Sequence, residues 1–150
     1  MSEDLDSELL TVCRSGTLAQ AKKLVADGAN PNCLGKMRVT PLMRALESKQ
    51  SDIVRWLVSK STVDVDRHNS YNNTALHYAC RYSRDSHTLA RLANRMDSAS
   101  VNLLNRDGNS AVFSAVEWSN VSALQGLLSV RSVNWMVEDK NGRSLLDLAR

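Results

Sequence analysis

Thr40-Pro41-Leu42-Met43-Arg44-Ala45 returns 34 residues later as Thr74-Ala75-Leu76-His77-Tyr78-Ala79. Ser110-Ala111-Val112-Phe113-Ser114-Ala115 follows 36 residues on, and Ser144-Leu145-Leu146-Asp147-Leu148-Ala149 another 34. Thirty-three residues before Thr40, Ser7-Glu8-Leu9-Leu10-Thr11-Val12 is a weaker copy. Five starts on one near-constant spacing define a repeat array, and periods in this range belong to stacked supersecondary units.

Inside a repeat the apolar spacing is helical. Leu42, Ala45 and Leu46 lie at i, i+3 and i+4, and Ile53, Val54, Leu57 and Val58 form a second such face. The polar stretch Ser48-Lys49-Gln50-Ser51-Asp52 reads as the turn between them. Thr40, Thr74, Ser110 and Ser144 are natural helix N-caps. The small Ala45, Ala79 and Ala115 permit close helix packing. One helix pair cannot bury its apolar face alone, so stacked neighbours must supply the partner surface.

These copies resemble the ankyrin-repeat signature T-P-L-H-x-A, and the resemblance runs from Asp6 to Arg150. Ser15-Gly16 matches the end of a first helix. Leu24-Val25-Ala26-Asp27-Gly28-Ala29-Asn30-Pro31-Asn32 is similar to the family's exit segment, and Asp107-Gly108 and Asn141-Gly142 occupy finger turns. The resemblance implies an all-α solenoid of stacked helix–turn–helix units with β-hairpin-like finger loops. It forms one domain over 1–150, with repeats at about 6–34, 35–68, 69–104 and 105–138 and a half repeat at 139–150. Three departures stand out. Lys49, Ser83 and Asn120 replace the glycine usual between the two helices. Repeat three is about three residues long before Ala99, which its second helix, Asp85 to about Arg95, or the following loop must absorb. The sequence stops at Arg150, inside the first helix of repeat five. Part of the face carrying Val121, Leu124, Leu127 and Leu128 is therefore expected to lack cover, as in a piece of a longer array; the chain is expected to be a monomer, with weak self-association through this C-terminal end as the alternative.

Composition narrows the function. Hydrophobic residues at 43% and charged residues at 23% are ordinary for a folded domain. No apolar run reaches the length of a membrane-spanning helix, and the acidic N-terminus MSEDLDSELL lacks the pattern of a signal peptide. Cys13, Cys33 and Cys80 are dispersed and odd in number, which supports neither a disulfide framework nor a zinc site and points to the cytosol or nucleus. Net charge is +3, but residues 35–104 hold 11 basic and 6 acidic side chains, so the middle is locally +5. No phosphate loop, HExxH, GxSxG or EF-hand pattern occurs. The expectation is a non-catalytic protein without cofactor or metal. His77 reads as a bridge to the backbone of the next repeat, Cys80 as core, and His68 and His87 as unpaired finger and surface residues. Asp64 and Asp66 read as turn-orienting carboxylates.

The resemblance also implies a concave binding face of finger tips and first-helix ends. Carried over by position, the helix ends are Arg14 and Ser15, Glu47 and Ser48, Arg81 and Tyr82, and Glu117 and Trp118. The fingers are Lys36, Met37 and Val39; Ser70, Tyr71 and Asn73; Arg106, Asp107 and Asn109; and Lys140, Asn141 and Arg143. The candidate contact residues are Trp118, Tyr82, Tyr71, Arg81, Glu117, Glu47, Lys36, Met37, Arg106 and Arg143. Three of the seven aromatic residues fall there, and Tyr, Trp and Arg dominate interface hot spots. Trp56 and Trp135 read as packing residues, and Arg84, Arg91 and Arg95 as a solvated stripe. Asn32, with Leu24 eight residues before it, resembles the target of an asparaginyl hydroxylase. The leading function is a scaffold or recognition module for a protein or peptide with an acidic contact segment, met by Lys36, Arg38, Arg81 and Arg106. The alternatives are a free-standing inhibitor of a signalling enzyme or transcription factor, or nucleic-acid binding through the basic middle, which salt would weaken steeply.

Overall fold

The computed structural model describes residues 2–149; Arg150 lies outside the described residues. Ten α-helices occur in chain order: α1 Ser2–Ser15, α2 Leu18–Ala26, α3 Pro41–Glu47, α4 Ser51–Ser59, α5 Ala75–Tyr82, α6 Ser86–Arg95, α7 Ser98–Val101, α8 Ala111–Glu117, α9 Val121–Leu128 and α10 Leu145–Ala149. Each first helix packs on the next one along the chain, α1 on α3, α3 on α5, α5 on α8 and α8 on α10. The second helices form a parallel row, α2 on α4, α4 on α6 and α6 on α9. This is the stack the period predicts. No strand forms among the described residues; the fingers hold only isolated antiparallel bridges, His68 to Thr74 and Glu138 to Ser144.

The buried set follows the two predicted faces. Leu42, Ala45 and Leu46 on α3, and Ile53, Val54, Leu57 and Val58 on α4, are at most 5% exposed. Ala45, Ala79 and Ala115 are buried where the first helices meet. The caps form at three of the four predicted sites. Thr40 Oγ1 accepts from Met43 N (3.2 Å), Thr74 Oγ1 from His77 N (3.4 Å) and Ser144 Oγ from Asp147 N (3.2 Å). Ser110 departs from this pattern: it makes no cap bond, and its buried hydroxyl has no partner among the described residues.

Other expectations are corrected. α1 begins at Ser2 and runs 14 residues, well ahead of the Ser7 start that the repeat spacing gives. Ser51 and Asp52 belong to α4, not to the turn before it. The left-handed turn residues between helices are Lys49 (φ 58°) and Ser119 (φ 50°); Asn120 instead caps α9 with φ −86°. Ser83 is extended, so the repeat-three turn has a different shape. The extra residues of repeat three form α7, a single turn capped by Asp97, whose carboxylate accepts from Ser100 N (2.7 Å).

Polar side chains tie neighbouring repeats together at the exit loops. Asn32 Nδ2 donates to Thr62 O (2.8 Å), and its Oδ1 accepts from Asp64 N (2.7 Å). Asn102 repeats both bonds one unit on, to Ser132 O and from Asn134 N, each at 2.7 Å. Asp64 and Asp66 orient backbone as expected, accepting from Asp66 N and Asp97 N. Arg95 is not simply a solvated charge: its guanidinium donates to Val58 O (2.8 Å) and Val63 O (2.9 Å), clamping the end of α4. Trp56 and Trp135 pack against the core.

At the far end, Leu127 is fully buried and Leu124 partly so, whereas Val121 is 62% and Leu128 73% exposed. Gly126 sets how closely α9 approaches α6, since a Cβ there would lie 2.6 Å from Ser86 O. An alanine ordinarily gains about 1 kcal/mol over glycine inside a helix. Here it must push backbone apart, so Gly126→Ala is expected to melt below the wild type in a thermal scan. A rise in midpoint would show that α9 is free to shift outward.

Candidate functional site

The fingers are built on one turn chemistry. Asn69 Oδ1 accepts from Tyr71 N and Asn73 N, Asn105 Oδ1 from Asp107 N and Asn109 N, and Asp139 Oδ1 from Asn141 N and Arg143 N, all at 2.9–3.0 Å. Two residues before each helix cap the chain turns left-handed, at Arg38 (φ 60°), Asn72 (60°), Gly108 (80°) and Gly142 (74°). Gly35 occupies the corresponding asparagine position in the second finger, so no side chain organises that turn. A 3₁₀ turn over Lys36–Arg38 forms instead, with Met37 also left-handed at φ 60°. Two successive non-glycine residues with positive φ are a strained arrangement. Adjacent fingers are joined by Ser70 N to Met37 O and Arg106 N to Tyr71 O, both 3.0 Å.

A groove of ≈ 330 Å³ lies between these fingers and the first helices. It gathers five of the expected contact residues: Glu47, Arg81, Tyr82, Glu117 and Trp118. The Arg81 guanidinium lies 4.1 Å from the Trp118 ring centroid and 5.0 Å from that of Tyr82. Stacking of this kind holds a long side chain in one pose and leaves its in-plane N–H groups available. Trp118 stays 48% exposed. Tyr71 and Arg106 form a second pair one step outward, with the Arg106 carbon 5.8 Å from the ring. Lys36 and Met37 sit exposed on the second finger, outside the groove. Arg143 also lies outside it and is held by Asp139 at 2.7 Å. Val39, read as a finger residue, is buried at 6%.

Sequence reading missed Tyr78 and Asn105 in the groove. Tyr78 OH accepts from Asn69 Nδ2 (2.9 Å), and Asn105 Nδ2 donates to Asn73 Oδ1 (2.9 Å). For Asn105 the available signal was the recurrence of Asn or Asp five residues before Thr74, Ser110 and Ser144.

His77 floors the groove and bridges two repeats. Its Nδ1 accepts from Thr74 N (3.1 Å), so the proton sits on Nε2, which donates to Asn109 O (3.0 Å). Burial lowers its pKa from 6.5. The neutral ring is therefore the folded form, while the unfolded chain protonates near the ordinary value. This stabilisation is fully present above pH 6.5 and is lost as pH falls below it, by about 1.4 kcal/mol per pH unit until the folded pKa is reached. His77→Gln keeps a capping-box residue, the role Gln20 plays opposite Thr17. It is expected to flatten the fall in melting temperature between pH 7.5 and 5.5; an equal slope in the variant would assign the acid sensitivity elsewhere.

Burial pushes the Cys13 thiol up to about 12 and Cys33 to about 11, and it raises Cys80 as well. Among the described residues no group of three or more His, Cys, Asp or Glu side chains could hold a metal ion, and no helix is long and apolar enough to cross a membrane. A family model for ankyrin repeats, in three copies, matches residues 9–97. No curated protein matches the chain.

Proposed function

The chain belongs to the ankyrin-repeat family, whose repeats are generally protein–protein interaction modules and typically non-catalytic, and we propose that it receives a protein or peptide segment along the groove and fingers. The observation that carries this reading is the Arg81 guanidinium held on Trp118 and Tyr82 in the groove wall. Aromatic and arginine anchors held in advance lower the cost of ordering an interface. Lys36, Arg38 and Arg106 have no ion-pair partner among the described residues, and they favour an acidic stretch of the partner across the finger tips. Glu47, Asp107 and Glu117 line the groove and oppose a polyphosphate backbone, which favours a protein over a nucleic acid. Three buried free cysteines support a reducing compartment, cytosol or nucleus. Scaffold and inhibitor differ only in whether the segment bound belongs to an enzyme's working surface.

Trp118→Ala and Arg81→Ala are expected each to weaken a captured partner by about 2 kcal/mol, roughly thirtyfold, with an unchanged melting temperature. Partners recovered by affinity capture are then titrated calorimetrically against both variants. Equal affinity for wild type and variants would remove the groove from the interface.

A further inference from the structure

A second cavity, of ≈ 200 Å³, opens beside the groove at the turns between the paired helices of repeats two and three. The repeat-three turn that borders it is irregular. Lys49 and Ser119 close their turns with one left-handed residue, but Ser83 is extended, and α5 is one residue longer than α3 or α8, so α6 starts at Ser86. Leu46 and Val54 form the floor, and Tyr82 is a wall shared with the groove. The rim carries Lys49 and Arg84, neither with a carboxylate within ion-pair distance among the described residues. Asp85, the rim's own acid, is already engaged, accepting from Thr88 Oγ1 (2.6 Å), Thr88 N (3.0 Å) and Arg55 (3.4 Å).

We infer that this cavity is a second subsite, taking an aliphatic side chain flanked by a carboxylate from the same extended partner segment that lies in the groove. The aliphatic floor and Tyr82 exclude water from a leucine-sized group, while the two unpaired cations select an acidic neighbour and repel a basic one. Tyr82 lines both cavities, so a segment that passes over its ring from the groove reaches this one. That the occupant is a polypeptide rests on the reading in the preceding section.

The test is selection of a random-peptide library on the intact protein, followed by affinity measurement of the selected peptides. Lys49→Gly/Arg84→Ala removes both cations, and glycine suits φ 58° at position 49. Ser51→Trp fills the mouth from the exposed first residue of α4. Both variants are first checked for wild-type melting. Selected peptides should share an aliphatic residue beside Asp or Glu and should lose about tenfold in affinity on each variant. Peptides that bind less to Trp118→Ala yet equally to these two variants would overturn the subsite and leave the groove reading standing. The reverse pattern would overturn both the groove reading and the shared-segment inference, since the selected peptide would then lie outside the groove. Sensitivity to the cation variant without sensitivity to Ser51→Trp would overturn the aliphatic pocket, as would selected peptides basic beside their aliphatic residue. A library that yields no binder overturns both readings.

Discussion

Ala79→Phe is expected to lower the unfolding midpoint by about 10 °C, the shift that corresponds to roughly 3 kcal/mol in a chain of this size. Ala79 is 1% exposed on α5, which is packed between α3 on one side and α8 on the other. A ring placed there has no cavity to enter. It must drive first helices apart, and in a linear array that breaks the coupling between the units on each side. Ala99→Phe, at an exposed position of α7, supplies the control for added apolar bulk. Equal midpoints for Ala79→Phe and wild type, measured by circular dichroism, would mean that the repeats are stacked in another register.

That register was readable because it depends on short-range patterns. The 34-residue recurrence, the small residue where first helices meet and the i, i+3, i+4 faces are all local, and Ala45, Ala79 and Ala115 end up buried as the pattern requires. Errors cluster where a side chain answers to something distant. Arg95 looks like one member of a charged stripe until its donors find Val58 O and Val63 O, more than thirty residues back. Ser110 satisfies every local rule for a cap and forms no cap bond. Asn120 tolerates positive φ and so reads as the substitute for the turn glycine, yet Ser119, one residue earlier, takes that conformation.

The candidate site divides the same way. Position within the repeat placed Glu47, Arg81, Tyr82, Glu117 and Trp118 around one groove. It did not disclose that Arg81 stacks across 37 residues of sequence on Trp118, because no local rule pairs them. The second cavity was hidden for a further reason. It borders a turn of irregular shape, and a turn's shape depends on which residue takes positive φ, a choice between Lys49-like and Ser83-like conformations that composition does not decide.

Asn120 gives the sharpest test of long-range bonding. It is fully buried, donates from Nδ2 to Cys80 O (2.9 Å) and Ser83 O (2.8 Å), and accepts from Ala123 N (3.1 Å). It thus closes the open C-terminal end of α5 while capping α9. Asn120→Ala leaves two carbonyls and one N–H without this partner, and about 3 kcal/mol of destabilisation is expected. Asn120→Asp keeps the acceptor for Ala123 N but faces both carbonyls with a buried negative charge, which costs more than an absent side chain. The expected order in urea titrations at pH 7 is therefore wild type, then Ala, then Asp. Lowering the pH protonates the introduced carboxyl and restores a donor, so the gap between Asp and Ala should shrink in acid. An aspartate variant as stable as wild type at pH 7 would show that neither Cys80 O nor Ser83 O depends on position 120, and that α5 and α9 are held together by apolar packing alone.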